Sequence, residues 1–221
     1  MRKYIAEAIG TYALVFCGTG AVVIDQQTGG QVGHAGIAMT FGFIVLAMIY
    51  TFGEISGAHF NPAVTIGFWV AGRFEGKKIA PYIISQLVGA VLASGTLKLL
   101  FPANESLGAT MPAGSAIQSL VLEFILTYFL MLVIINVSQG SKETGVLAGI
   151  AVGSTVLLEA MFAGPICGAS MNPARSIAPA LVSCNLQSLW IYILAPVLGA
   201  VAASFTWRGM RPINKSLGFK N

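Results

Sequence analysis

The sequence of 221 residues predicts an all-α membrane fold: six transmembrane helices plus two re-entrant half-helices, arranged as an inverted internal repeat. Composition points there first. Hydrophobic residues make up 56% of the chain and charged residues only 9%, whereas a soluble domain carries roughly 25% charged residues. The mean hydropathy of +0.80 agrees. The second observation is the set of stretch lengths, six apolar runs long enough to span a bilayer and two that are too short. The third is that the two halves of the chain repeat one another.

The long runs lie at about 4–24, 35–53, 80–100, 116–137, 145–163 and 189–207, each near the ~20 residues that a bilayer-crossing helix needs. The short runs, at about 61–71 and 172–182, read as half-helices that enter and leave on the same side. Irregular backbone beside them is tolerated at membrane depth only where it is buried in protein or lines a cavity. The start, Met1-Arg2-Lys3 and then an apolar run, is similar to a signal peptide. Glu7 interrupts that run, which continues to Ile24, so it reads as an uncleaved first helix.

The net charge is +4, and the basic residues sit in the short polar gaps and at the chain ends. That grouping suits no nucleic acid. Arg2, Lys3, Arg73, Lys77, Lys78, Lys142, Arg208, Arg211, Lys215 and Lys220 all fall on one side if the chain crosses six times, and the opposite loops, about 25–34, 101–115 and 183–188, hold no Lys or Arg. Positive residues stay in the cytoplasm, which puts both termini there and points to a multi-pass protein of the plasma (cell inner) membrane, with membrane lipids as neighbours. Lys98 can snorkel from the end of the third span; Arg175 cannot. Cys17, Cys167 and Cys184 have no metal-ligand spacing and read as small apolar filler. With no metal cluster, nucleophile triad or phosphate loop, and with His34 and His59 isolated, neither an enzyme nor a cofactor or metal site is expected.

The halves, about 1–110 and 111–221, align in order and form one domain over 1–221. Glu7 through Leu14 pairs with Glu123 through Leu130, sharing Glu-x3-Thr-Tyr. Ala35-Gly36-Ile37-Ala38 pairs with Ala148-Gly149-Ile150-Ala151, and Gly57 through Ala63 with Gly168 through Ala174, sharing Asn-Pro-Ala. Tyr82 through Ser94 pairs with Tyr192 through Ser204. The offsets lie between 110 and 116. Each half has three full spans, an odd number, so the halves enter the membrane from opposite sides. Inverted repeats of this kind place their functional site near the bilayer midplane.

Asn is a strong N-cap and Pro is pre-organised for the first helical position. One Asn-Pro-Ala would be an ordinary helix start. Here Asn61-Pro62-Ala63 and Asn172-Pro173-Ala174 each open a helix too short to cross, and inversion brings the two starts together at mid-membrane. Each start points about half an elementary positive charge at that plane. Cations are repelled there, while both asparagine amides can donate to a passing oxygen. Arg175 follows the second box, and an intramembrane guanidinium marks a pathway by default. Beside an aqueous constriction it repels cations and donates to solute oxygens. Glu7 and Glu123 occupy matching positions and are expected to accept backbone N–H groups of the loops before the half-helices. Glu159 has no repeat counterpart and no assigned role. The glycines within the spans fit close helix contact.

The paired Asn-Pro-Ala boxes, Arg175 after the second, the lead-in Ser56-Gly57-Ala58-His59-Phe60 and the duplicated glutamates together resemble the aquaporin and glycerol facilitator family over essentially the whole chain. The resemblance implies an aquaporin-like right-handed bundle, a pore in each subunit and a homotetramer. It implies a four-membered selectivity ring at Phe41, Ala160, Ala169 and Arg175. Water-selective members usually carry histidine where this chain has Ala160. Glycerol facilitators typically carry tryptophan at Phe41 and aspartate at Asn172, and this chain departs from both patterns. Phe162 through Met171 is most similar to the plant nodulin-like branch and its bacterial relatives, which implies passage of water and glycerol-sized neutral solutes, including undissociated boric, silicic or arsenous acid. Three other readings stay open: a mainly water-selective channel, a secondary active transporter using Glu159 or Glu54 as a coupling site, and a structural membrane protein with a closed pore.

Overall fold

A computed structural model describes residues 1–138 and 146–210. Its long helices are α1 (Arg2–Gln27), α2 (Gly33–Ser56), α4 (Ile79–Leu100), α5 (Ala116–Val137), α6 (Ala148–Cys167) and α8 (Leu189–Met210); between them lie two short ones, α3 (Pro62–Val70) and α7 (Pro173–Val182). No strand occurs among the described residues. At 1.5 Å per residue, the long helices are long and apolar enough to cross a bilayer, and α3 and α7, at 9 and 10 residues, are not. Ile84, Leu92, Leu158 and Phe205 are each more than half exposed. In water such a surface would aggregate; facing lipid, it is solvated.

Helices α2 and α6 run several residues past the apolar stretches that announced them, α2 through Glu54 and α6 through Pro165. A capping residue, rather than the end of apolarity, stops each. Gly57 (φ 88°) and Gly168 (φ 86°) take the left-handed conformation and donate their N–H groups to Gly53 and Gly164, a turn that glycine adopts without a Cβ clash. At the other helix ends, Asn61 accepts from the Ala63 N–H and Ser115 from the Gln118 N–H. Lys98 donates to the carbonyls of Pro102 and Asn104. Arg73 reaches the carbonyls of Ile135 and Ser138, and Arg208 that of Val70, so that end is tied by backbone acceptors. Lys142, Arg211, Lys215 and Lys220 lie outside the described residues.

Contacts repeat across the two halves. Tyr12 and Tyr128 donate to Thr96 and Thr206, each at 3.2 Å. Thr11 and Thr127 each bond the carbonyl four residues earlier at 2.7 Å. A Cβ at Gly89 would lie 2.0 Å from the Ala8 carbonyl oxygen, and one at Gly199 2.4 Å from that of Phe124. At the crossing of α2 and α6 the contact is reciprocal: a Cβ at Gly42 would meet the Gly153 oxygen at 2.6 Å, and one at Gly153 would meet the Gly42 oxygen at 2.6 Å. This contact pairs 42 with 153 and corrects one detail of the sequence alignment. Ala35–Ala38 and Ala148–Ala151 are two residues out of structural register, because a run of small apolar residues matches itself in several registers. Each half-helix packs on the last long helix of the other half, α3 on α8 and α7 on α4.

Candidate functional site

The two loops before α3 and α7 are irregular, and the residues next to the helix starts, His59 and Phe60 in one and Ser170 and Met171 in the other, are buried, so their N–H groups need acceptors. Two intramembrane carboxylates supply them. Glu7 accepts from the N–H of His59 at 2.9 Å and of Phe60 at 2.8 Å; Glu123 accepts from Ser170 at 2.7 Å and Met171 at 2.8 Å. Both carboxylates are fully buried. Held this way, the loops adopt matching left-handed residues, Ala58 and Phe60 in one, Ala169 and Met171 in the other. Side chains rarely take that conformation without support.

The helix starts that follow meet in the middle of the molecule. The Asn61 amide donates to the Met171 carbonyl at 2.7 Å, and the Asn172 amide donates to the Phe60 carbonyl at 2.9 Å. Each asparagine is thus bonded to the other half's loop, while its amide oxygen caps its own helix, Asn61 through Ala63 and Asn172 through Ala174. Pro62 and Pro173 stand at the first helical position. A side-chain amide has two N–H groups, so one donor on each asparagine remains.

Three cavities lie end to end through the molecule. The central one, of about 100 Å³, is lined by both asparagines, by His59, Phe60 and Ser170, and by the apolar Leu14, Val45, Val64, Leu130, Val152 and Val156. That is room for a short file of waters. A vestibule of about 830 Å³ opens at the Tyr50, Glu54 and Arg73 end and shares His59, Phe68 and Ser138 with the centre. At the Asp25 and His34 end an antechamber of about 400 Å³ is lined by Phe41, Ala160, Ala169 and Arg175 together. Phe41, Ala169 and Arg175 also line the central cavity, so the two spaces meet at this level.

Arg175 is 4% exposed. One guanidinium nitrogen donates to the Gly108 carbonyl at 2.7 Å, Nε has no protein acceptor, and the group lies over the Phe41 ring, 5.0 Å from its centroid. No carboxylate comes within ion-pair distance of it among the described residues. The guanidinium and the ring are within cation–π range and leave little space between them. The opening therefore lies along the Ala160 and Ala169 wall. Glu159 is buried, one carboxyl oxygen has no hydrogen-bond partner among the described residues, and it lines none of the three cavities.

Several contributors escaped the sequence reading. Gln86 donates to Glu7 at 2.7 Å and to Thr65 at 3.0 Å, and His59 pairs with Thr65 at 3.1 Å while stacking on Phe68. Gln86, a lone amide inside an apolar run, was the available signal. The Gly108 carbonyl could not be picked out of its loop, because any residue has one.

A family model described as "Major intrinsic protein" matches residues 1–207. The chain belongs to the major intrinsic protein family. It is 49% identical to "Aquaporin NIP1-1" of Zea mays over 98% of this chain and 77% of that protein. It is 45% identical to "Nodulin-26" of Glycine max over 98% and 80%. An X-ray structure of the aquaglyceroporin from Plasmodium falciparum superimposes with a TM-score of 0.86 at 27% identity, covering 95% of this chain and 96% of that one. Members of the family are channels and not enzymes, so this major intrinsic protein is a multi-pass membrane channel for water and small solutes.

Proposed function

We propose that this chain is a passive pore for water and for neutral hydroxylated solutes of glycerol size, with undissociated boric, silicic or arsenous acid in the same class, and that it excludes protons and ions. The observation that carries the solute range is the wall of Ala160 and Ala169 facing the Phe41–Arg175 pair where the antechamber meets the central cavity. Two methyl groups leave space and offer no donor, so a three-carbon triol can pass its apolar edge along Phe41 and its hydroxyls along Arg175. The unbonded Nε–H of Arg175 is a donor for those hydroxyls. The relative from Plasmodium falciparum is described as an aquaglyceroporin, which supports this range.

Proton exclusion follows from the centre. The α3 and α7 N-termini aim partial positive charge at one point, and the free N–H groups of Asn61 and Asn172 occupy both lone pairs of a water held between them. Such a water cannot accept a proton from its neighbour in the file. In this reading Asn61, Pro62, Ala63, Asn172, Pro173 and Ala174 form the central barrier to charge. Phe41, Ala160, Ala169 and Arg175 form the size filter, and Glu7 and Glu123 hold the loops. The whole chain is one channel domain of two repeat halves, about 1–110 and 111–221. It works as a homotetramer in the plasma membrane with both termini cytoplasmic.

Swelling of proteoliposomes tests the proposal. Fast shrinkage in an impermeant osmolyte, then re-swelling in glycerol, is expected. Shrinkage without solute entry makes it a water-selective channel. Solute entry that collapses when a proton or sodium gradient is dissipated makes it a transporter. Permeability equal to bare lipid ends the channel reading.

A further inference from the structure

Helix α1 carries none of the Asn-Pro-Ala or filter residues assigned above, yet it lines two of the three cavities, the centre and the antechamber. Positions 10, 14, 18 and 22 are four apart and share one helix face. Leu14 lines the central cavity and Val22 the antechamber. Gly18, between them, is buried against the filter. A Cβ at Gly18 would lie 2.1, 2.4 and 2.6 Å from three atoms of the Phe41 ring. Carbon atoms pack at about 3.5–4.0 Å, so an alanine there fits only if the ring moves by roughly 1.4 Å or more. The ring has α1 behind it; its open sides are the two cavities and the Arg175 guanidinium. Displacement off α1 therefore narrows the passage beside Ala160 and Ala169.

The next residue supports the other half of the same pair. Thr19 lies against Gly108, where a Cβ would meet the Thr19 Cβ at 2.9 Å and its oxygen at 3.0 Å, and the Gly108 carbonyl is the one that holds Arg175. The internal repeat offers a second view of Gly18. In the matching register of the second half, Ile134 replaces Gly18 and Val152 replaces Phe41; likewise Leu126 and Met171 replace Gly10 and Phe60. Gly10 is itself a seat, since a Cβ there would lie 2.0 Å from the Phe60 ring. Where α1 is bare, its neighbour is an aromatic ring; where α5 is branched, its neighbour is smaller.

Resting on the filter assigned above, we infer that Gly18 is a specificity-determining positioning residue: it seats the Phe41 ring away from the passage and thereby sets the largest solute that the pore admits. It acts through Phe41 and touches no solute.

The test compares wild type, Gly18→Ala and Gly18→Ala/Phe41→Leu in proteoliposomes, with water and glycerol permeability measured on the same vesicles. Gly18→Ala is expected to lower glycerol permeability at least about tenfold, a barrier rise of ~1.36 kcal/mol, with a much smaller loss for water. Phe41→Leu on that background, which removes the ring that clashes, is expected to bring glycerol passage back. An unchanged glycerol-to-water ratio in Gly18→Ala, or a double variant no better than the single, overturns the role. If Gly18→Ala gives no folded protein, the double variant must fold and conduct; failure of both assigns Gly18 to general backbone packing. A wild type no more permeable than bare lipid sinks the channel reading and this role with it, whereas a conducting wild type with an unshifted ratio in the variant sinks only the role.

Discussion

The two re-entrant loops have the same backbone and unequal support. In the first, Glu7 accepts four donors: Ser56 Oγ, the N–H groups of His59 and Phe60, and the Gln86 amide. His59 then packs among Phe68, Phe74 and Tyr82. In the second, Glu123 receives the matching backbone pair, but Pro196 stands where Gln86 would be, and Cys167, a weak donor, stands for Ser56. Ser170 stands for His59 and Ser176 for Thr65, and the hydroxyls of Thr110, Ser170 and Ser176 bond one another. The second loop carries Ala169 and leads into Arg175, both where the antechamber meets the central cavity. The first half is the fuller mount, with two side-chain donors on its carboxylate, while the second loop carries residues of the proposed filter.

That contrast can be broken most forcefully at the mount. Glu7→Ala leaves two buried N–H groups without an acceptor, at about 1–3 kcal/mol each, and also frees Ser56 and Gln86. It is expected to lower the melting midpoint in detergent further than Glu123→Ala does. Equal losses from the two variants mean the extra donors on Glu7 contribute nothing. At the proposed filter, Arg175→Val removes the guanidinium that lines the narrow level and is expected to raise proton and cation conductance of proteoliposomes above background. Conductance that stays at background assigns exclusion to the half-helix fields alone.

A smaller, more selective change is expected from Ala160→His, which returns bulk and a donor to the open wall. Glycerol permeability should fall by more than water permeability, and identical proportional losses remove Ala160 from the proposed filter. The mildest change sharpens the comparison by transplanting a part of the mount. Cys167→Ser places a hydroxyl where Ser56 has one, within reach of Glu123, and a net hydrogen bond adds about 0.5–1.5 kcal/mol. A melting midpoint that does not rise shows that the second loop is already as well held as the first.

Much of this architecture was legible because its determinants are local. Asn-Pro starts a helix wherever it stands, and Glu-x3-Thr-Tyr recurs at a fixed offset. The hidden parts were relational. Gln86 is an amide in an apolar run, and no local rule assigns it to Glu7, which lies 79 residues away. The register of α2 against α6 was misread by two residues because small apolar runs align equally well in several ways, and only the reciprocal contact of Gly42 and Gly153 decides it.

By itself, the sequence determined the lipid-facing surface, the number of crossings, the inverted halves and the helix starts at Asn61 and Asn172, since each depends on hydropathy, caps or spacing within a short window. The tertiary structure alone decided that each asparagine bonds the opposite loop, that a backbone carbonyl rather than a carboxylate holds Arg175, and that Gly18 lies behind Phe41. Those contacts join segments far apart in the chain, and their geometry is set by how closely the helices approach, which no single segment encodes.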